Sequence, residues 1–134
     1  MMTVEVFQLM LDRVAEDDPK VLGLYRQIIG FGDTAVGVRA ILEDAESWKE
    51  QGLHYRKVAD VDGDDKDVAF CLTNHIDESW TNNKGVTVAP GVDRVRSTSV
   101  GDLMVVDGKF HVVCGHGFSE ISDSQVDIDR PRTF

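Results

Sequence analysis

The spacing of apolar and polar positions along the chain predicts an alternation of strands and helices. Valines alternate with a glutamate at the start of residues 3–11, which favours a strand, although apolar residues there also recur at helical spacing. Asp18 and Pro19 fit the N-cap and first position of a helix over residues 19–29. An apolar stripe with spacings of three and four predicts a second helix over residues 34–50, ended by Gly52.

The strongest local signal lies in the C-terminal third. Two apolar runs, at residues 103–106 and 110–113, flank Asp107-Gly108, a dipeptide that supplies the positive φ angles of a tight turn. A hairpin is therefore predicted over about 102–113. A strand is predicted over 54–61, a third helix over 66–75, and an irregular stretch over 74–94.

These elements predict the fold class. We expect an α+β fold in which a small antiparallel sheet ends in the C-terminal hairpin and carries three helices. The length of 134 residues fits one domain. That domain is predicted over residues 1–121, followed by a loosely ordered acidic tail over residues 122–134.

The composition indicates the cellular compartment of the protein. The chain has two cysteines, too few for a disulfide framework, and both have apolar neighbours. Its first residues lack the pattern of a signal peptide, and no segment has the run of apolar residues that a membrane span needs. We therefore expect a cytoplasmic protein that has no contact with a membrane.

Charge indicates the kind of partner. The chain has 24 acidic and 14 basic residues, a net charge of −10, and 15 of the acids lie in residues 1–67. This charge repels phosphate backbones, which disfavours direct binding to nucleic acid, and it favours contact with a basic protein surface. A role in solubility alone remains an alternative interpretation.

An acidic segment resembles a calcium loop at first. Asp60, Asp62 and Asp64 occupy alternate positions, but the sixth and twelfth positions of such a loop are Asp65 and Cys71 instead of glycine and glutamate. The pattern therefore favours a turn between a strand and a helix, with Asp64 or Asp65 as the N-cap.

Four residues of types that bind zinc form a second candidate group: Cys71, His75, Cys114 and His116. Their spacing is not that of the usual zinc motifs. The alternative interpretation is structural, with a buried Cys71 and with His75 near a helix C-terminus. No cofactor is predicted. If a metal or a catalytic centre existed, it would use Cys71, His75, Cys114 and His116.

Two further features have both a binding and a structural interpretation. Arg96-Ser97-Thr98-Ser99 has the groups that bind an anion or a peptide, yet its hydroxyls are also suited to fixing the backbone that enters the hairpin. Trp80 is a candidate aromatic anchor at a partner interface, or else it closes over the edge of the core.

The C-terminal half resembles a known group of proteins. Tyr55 with Val58, the short helix with Phe70 and Asn74, the segment Arg96-Ser97-x-Ser99-Val100-Gly101-Asp102 and the later Gly117-Phe118-x-x-Ile121 are similar to the YodL-like group. Its members are small proteins of phages, plasmids, other mobile elements and their bacterial hosts. The resemblance covers about residues 53–121 and implies an accessory protein of a mobile element with an α+β fold. The motif residues, which we expect to be structural, are Arg96, Ser97, Ser99, Gly101, Asp102, Gly117 and Phe118.

Our leading hypothesis is a non-enzymatic binding protein. Acidic side chains spaced along a helix can imitate a row of phosphates and so block a basic nucleic-acid-binding site on a host protein. The alternatives are the zinc or enzymatic protein described above and a homo-oligomer that pairs through the hairpin edge. The residues predicted to contact the partner are Glu43, Asp44, Glu46, Glu50, Asp60, Asp62, Asp64, Asp65 and Trp80.

Overall fold

A computed structural model of the chain describes residues 2–30, 33–74, 80–92, 96–115 and 117–121. Within these ranges the fold is α+β, as predicted. Its strands are β1 (Thr3–Leu11), β2 (Leu53–Asp62), β3 (Val86–Val88), β4 (Leu103–Val106), β5 (Lys109–Cys114) and β6 (Gly117–Ile121). Its helices are α1 (Pro19–Ile29), α2 (Thr34–Glu43), α3 (Ala45–Glu50) and α4 (Lys66–Thr73), with 3-10 turns at Arg13–Ala15 and Trp80–Asn82.

The strands form one antiparallel sheet in the order β3-β2-β1-β4-β5-β6. The central strand β1 pairs with β2 along its whole length, with a register shift between Val6 and Phe7. On its other side it pairs with β4 only from Val4 to Phe7. The second half of β1 therefore needs other partners on that side.

Helices cover both faces of the sheet. On one face, which we call the α1–α3 face, α1 and α2 pack their apolar residues onto Phe7, Leu9 and Leu103. On the other, the α4 face, Ala69 and Trp80 pack onto Val4, Val6 and Met104. Alternate residues of β1 thus enter two separate cores, as the period of a strand requires.

Three local sequence signals are confirmed. The Asp18 side chain accepts hydrogen bonds from the N–H groups of Lys20 and Val21 and so caps α1. Asp65 caps α4 in the same way. Asp107 and Gly108 both have positive φ, 50° and 76°, which is the signature of a type I′ turn between β4 and β5.

The predicted helix over 34–50 is interrupted. It ends as α2 at Glu43 and restarts as α3 at Ala45, because Asp44 leaves the helical region with φ −143° and ψ 47°. The two helices differ in packing. α2 buries Val38, Ile41 and Leu42, whereas α3 buries none of its residues and packs its half-buried Trp48 against the core.

Two strands arise where no strand was predicted. The stretch 74–94, expected to be irregular, contains β3, and β6 extends the sheet beyond the predicted hairpin. α4 ends at Thr73 instead of residue 75, because Asn74 turns its side chain to donate a hydrogen bond to the Thr98 carbonyl. The expected tail, 122–134, lies outside the described residues.

Gly37 of α2 makes room for a core side chain of α1. A Cβ at Gly37 would lie 2.6 Å from Cγ1 of Ile28, which is fully buried. Gly23 of α1 is the opposite case, since nothing lies within 4 Å of a Cβ there. The same substitution in two neighbouring helices should therefore have opposite effects.

We expect Gly37→Ala to lower the free energy of unfolding by about 1–2 kcal/mol, because the overpacking cost exceeds the gain in helix propensity. Gly23→Ala should raise it by about 0.5–1 kcal/mol through helix propensity alone. Urea unfolding of both variants measures the difference. Equal effects of the two substitutions would contradict the close approach of α1 and α2.

Candidate functional site

The motif segment Arg96–Asp102 builds a polar network at the middle of the sheet. Asp102 is completely buried, and both of its carboxylate oxygens meet the Arg96 guanidinium, at 2.6 and 2.7 Å. The same oxygens accept hydrogen bonds from the backbone N–H groups of Leu9 and Ser99, at 2.9 and 2.8 Å. The carboxylate is therefore fully partnered by groups of this chain.

The Arg96–Asp102 ion pair makes hydrogen bonds to β1 where β4 does not reach. β4 begins at Leu103, so it leaves Leu9 of β1 without a strand partner on that side. The Asp102 side chain accepts from the Leu9 N–H, and the Arg96 side chain donates to the Leu9 carbonyl at 2.9 Å. Side chains thereby satisfy the two backbone groups that a longer β4 would have paired.

Burial and charge act against each other on these groups. Burial raises the pKa of the Asp102 carboxyl, and the hydrogen bond and charge of Arg96 offset part of that rise. The pKa of the Arg96 guanidinium is raised, because its hydrogen bond to Asp102 and the charge of Asp102 outweigh the lowering by burial. Burial, with the Asp102 charge, also raises the pKa of Tyr55, whose hydroxyl donates to the Gly101 carbonyl.

The backbone of the segment is fixed from the α4 face. The buried Gln8 amide donates to the Arg96 carbonyl and to the Thr98 hydroxyl, at 2.9 and 3.2 Å. Trp80 donates its indole N–H to the same Arg96 carbonyl at 2.8 Å. Gln8 is a residue that the sequence analysis missed, and its signal was a polar side chain within the apolar run of β1.

Trp80 is not an exposed anchor. Its side chain is 1% exposed and packs in the core of the α4 face. The partner-binding interpretation of Trp80 is therefore wrong, because the residue is committed to the core and to the Arg96 carbonyl. The structural interpretation of the Arg96–Ser99 segment fits the contacts, since the Ser99 hydroxyl accepts a hydrogen bond from Arg96 itself.

The other motif residues also have structural surroundings. Gly101 has a φ of 95°, and a Cβ there would lie 2.6 Å from Cγ2 of Ile28. Phe118 packs edge-on against Phe70 of α4, with ring centroids 6.2 Å apart. Gly117 has a φ of 118° where β6 begins, and the Ser97 hydroxyl oxygen is buried without a hydrogen-bond partner in the described residues.

We expect Arg96→Met to lower the free energy of unfolding by about 3–5 kcal/mol, because it leaves the Asp102 charge buried and unpaired. Burial then raises the pKa of Asp102 against only the backbone hydrogen bonds of Ser99 and Leu9, so the folded variant binds a proton more tightly than the unfolded chain. The difference in free energy of unfolding between Arg96→Met and the natural sequence should therefore shrink as the pH is lowered from neutral towards 5. Urea titrations at each pH measure this difference.

The matched control is Arg96→Met/Asp102→Asn, which has no buried carboxyl. It should lose less stability than Arg96→Met and should lack the recovery at low pH. A deficit in Arg96→Met that does not depend on pH would contradict an ionised, buried Asp102.

The predicted acidic residues fall into two groups. Glu43, Asp44, Glu46 and Glu50 are exposed around α3, which we call the α3 acidic group. Asp62 and Asp64 are exposed at the turn between β2 and α4. The remaining two stabilise the fold. The Asp60 carboxylate lies 2.9 Å from Nζ of Lys57, and Asp65 caps α4.

The two groups do not form one continuous surface. Glu50 lies just before β2 and Asp62 ends it, and β2 is a strand of 10 residues. At about 3.3 Å per residue, its ends are roughly 30 Å apart. A row of carboxylates along one uninterrupted helix is also absent, because the helix breaks at Asp44.

The structure adds acidic residues near the α3 acidic group. The turn at Arg13–Ala15 packs against Gly52, where Asp12 donates its N–H to the Gly52 carbonyl at 2.8 Å. Glu16 and Asp17 follow this turn and are exposed. The sequence separates them from Glu50 by more than thirty positions, so only the fold brings them to the same end of the molecule.

The two cysteines lie on opposite sides of the sheet. Cys114 packs against the core of the α1–α3 face, whereas Cys71 lies on α4, which covers the other face. Cys71 is also exposed, so its predicted burial is wrong: α4 turns Ala69 and Thr73 inwards instead. His75 and His116 lie outside the described residues. The sheet therefore separates the thiols of the proposed four-ligand set.

Among the residues that the structure covers, no three His, Cys, Asp or Glu side chains are grouped to hold a metal ion. No helix in the same ranges combines the length and apolar character needed to cross a bilayer.

Comparison with known proteins gives no family. No family model, no curated protein and no solved structure matches the chain. The resemblance to the YodL-like group therefore stays a prediction.

Proposed function

We propose that the protein is a non-enzymatic binding protein that uses the α3 acidic group to occupy a basic surface of a partner protein. The observation that supports this most directly is that α3 buries none of its residues while its carboxylates are exposed. α3 packs against the core through the half-buried Trp48, so its carboxylates are not needed for packing, and Glu46 and Glu50 lie one helical turn apart on a solvent-facing side.

The electrostatics favour a basic partner. Glu43, Asp44, Glu46 and Glu50 form no ion pair with a side chain in the described residues. Among these residues, a partner cation has no internal cation to displace. The net charge of −10 adds long-range attraction towards basic surfaces and speeds encounter at low ionic strength.

The biological setting in this proposal comes from the sequence resemblance. The protein acts in the cytoplasm of a bacterial host as an accessory protein of a phage or other mobile element. Its basic target is the nucleic-acid-binding site of a host protein, which the carboxylates cover as substitutes for phosphates. The break at Asp44 makes this a compact acidic patch instead of a long phosphate-like row.

We expect neutralisation of the α3 acidic group, by Glu43→Gln, Asp44→Asn, Glu46→Gln and Glu50→Gln together, to weaken partner binding at least about tenfold, since each exposed pair contributes up to about 1 kcal/mol. The measurement is affinity purification from bacterial lysate at low and raised salt, with mass spectrometry. The binding constant of the recovered partner is then determined with purified protein.

The control variant is Asp62→Asn/Asp64→Asn, which removes charge at the other end of β2 and should leave binding within about twofold. Double-stranded DNA added to the purified complex should release the partner if its nucleic-acid site is covered. A partner that binds both variants equally, or the recovery of no basic partner, would refute the proposal.

A further inference from the structure

The two edges of the sheet differ in how they are protected. β3 has only three residues and is followed closely by Pro90, two devices that prevent a further strand from pairing. β6 has five residues and contains neither proline nor lysine. Within the described ranges β6 is the last strand of the sheet, and no strand pairs with its outer side.

The hydrogen-bond pattern identifies which groups of β6 face outwards. Val113 bonds through both its N–H and its C=O to Asp102 and Gly101, on the β4 side. Because these directions alternate along a strand, Val112 and Cys114 face β6, and their partners there are Ser119 and Gly117. The N–H and C=O groups of Phe118 and Glu120 therefore point away from the sheet.

We propose that β6 is a self-association edge, on which β6 of a second copy pairs antiparallel about a twofold axis at Ser119. In this register Phe118 of one copy lies opposite Glu120 of the other, so each outward N–H meets an outward C=O. A shift by one residue would set outward groups against inward ones. The twofold arrangement is self-complementary, as an isologous interface requires.

Charge supports the same register. Nζ of Lys66 lies 5.3 Å from the ring centroid of Phe118, on the α4 face. Glu120 shares that face with Phe118, because the two are separated by one residue of a strand. Pairing Phe118 with Glu120 of a second copy brings Lys66 next to that carboxylate, twice per dimer. This local attraction offsets part of the repulsion between copies that each carry −10.

The decisive variant is Glu120→Pro. Proline removes the outward N–H of Glu120 without removing an N–H that bonds to β5, and edge strands accept proline at such positions. Glu120→Gln is the control, because it keeps the N–H. Sedimentation equilibrium from micromolar to millimolar protein should show a dimer for the natural sequence, a weaker dimer for Glu120→Gln, which lacks the charge that attracts Lys66, and a monomer for Glu120→Pro. A monomer at every concentration for the natural sequence, or a dimer that survives Glu120→Pro, would overturn the proposal.

A charge exchange covers the case in which the proline variant fails to fold. Lys66→Glu and Glu120→Lys should each weaken the dimer, and the double variant should restore it, since it rebuilds the pair with reversed signs. Urea unfolding of each variant confirms that the fold persists. Failure of the double variant to restore association, with all three variants folded, would count against the register.

Hydrogen exchange distinguishes a second copy from a segment of the same chain. The amide protons of Phe118 and Glu120 should become protected as the protein concentration rises. Protection that is already complete in dilute solution would mean that the same chain covers this edge, and the proposal would fail. None of these measurements uses the α3 acidic group, so their outcome is independent of the proposed partner binding.

Discussion

The buried Asp102 carboxylate and its Arg96 partner complete the hydrogen bonding of the central strand β1, which is longer than its neighbour β4. β1 has nine residues, but β4 pairs with only four of them. An uncovered Leu9 would leave a buried N–H and a C=O unpaired in the middle of the fold, each at a cost of about 1–3 kcal/mol. The ion pair supplies an acceptor and a donor at these two points. The loop before β4 thereby supplies the two hydrogen bonds that a longer strand would have made with Leu9.

This arrangement explains the composition of the segment around the ion pair. The loop approaches α1 closely at Gly101, where Ile28 leaves no room for a Cβ. On the α4 face, the loop is fixed by Gln8 and Trp80, which both donate hydrogen bonds to the Arg96 carbonyl. Each of these residues carries a hydrogen bond or a close contact that the architecture needs. The segment is the most recognisable part of the sequence, and among the described residues its buried polar side-chain atoms, apart from the Ser97 hydroxyl, bond to groups of this chain.

Local signals were sufficient wherever a structure depends on neighbouring residues. The Asp18 and Asp65 caps and the Asp107-Gly108 turn were predictable because the donor and acceptor lie within three positions of each other. β1 was also predicted, although its apolar residues fit two periods. What resolves that ambiguity is pairing with β2, about fifty residues away.

The remaining elements depend on contacts that a pattern does not encode. β3 and β6 are short strands that exist because β2 and β5 offer them an edge. Cys71 has apolar neighbours in sequence, but α4 packs on the sheet through Ala69 and Thr73, which leaves Cys71 exposed. The candidate acidic surface was predictable in composition only. Its division into two groups follows from the length of β2, and the nearness of Glu16 and Asp17 to α3 follows from the packing at Gly52.

The order of the sheet decides whether the two proposed surfaces compete. α3 contacts β2, whereas β6 is four strands further along the sheet, which at a spacing of about 4.8 Å amounts to roughly 19 Å. A second copy on β6 therefore leaves Glu46 and Glu50 on α3 of each copy uncovered. A twofold dimer would present two acidic groups on one rigid sheet. If the basic partner is itself repeated, binding of the first group raises the effective concentration of the second, so that weak individual salt bridges add to a stable complex.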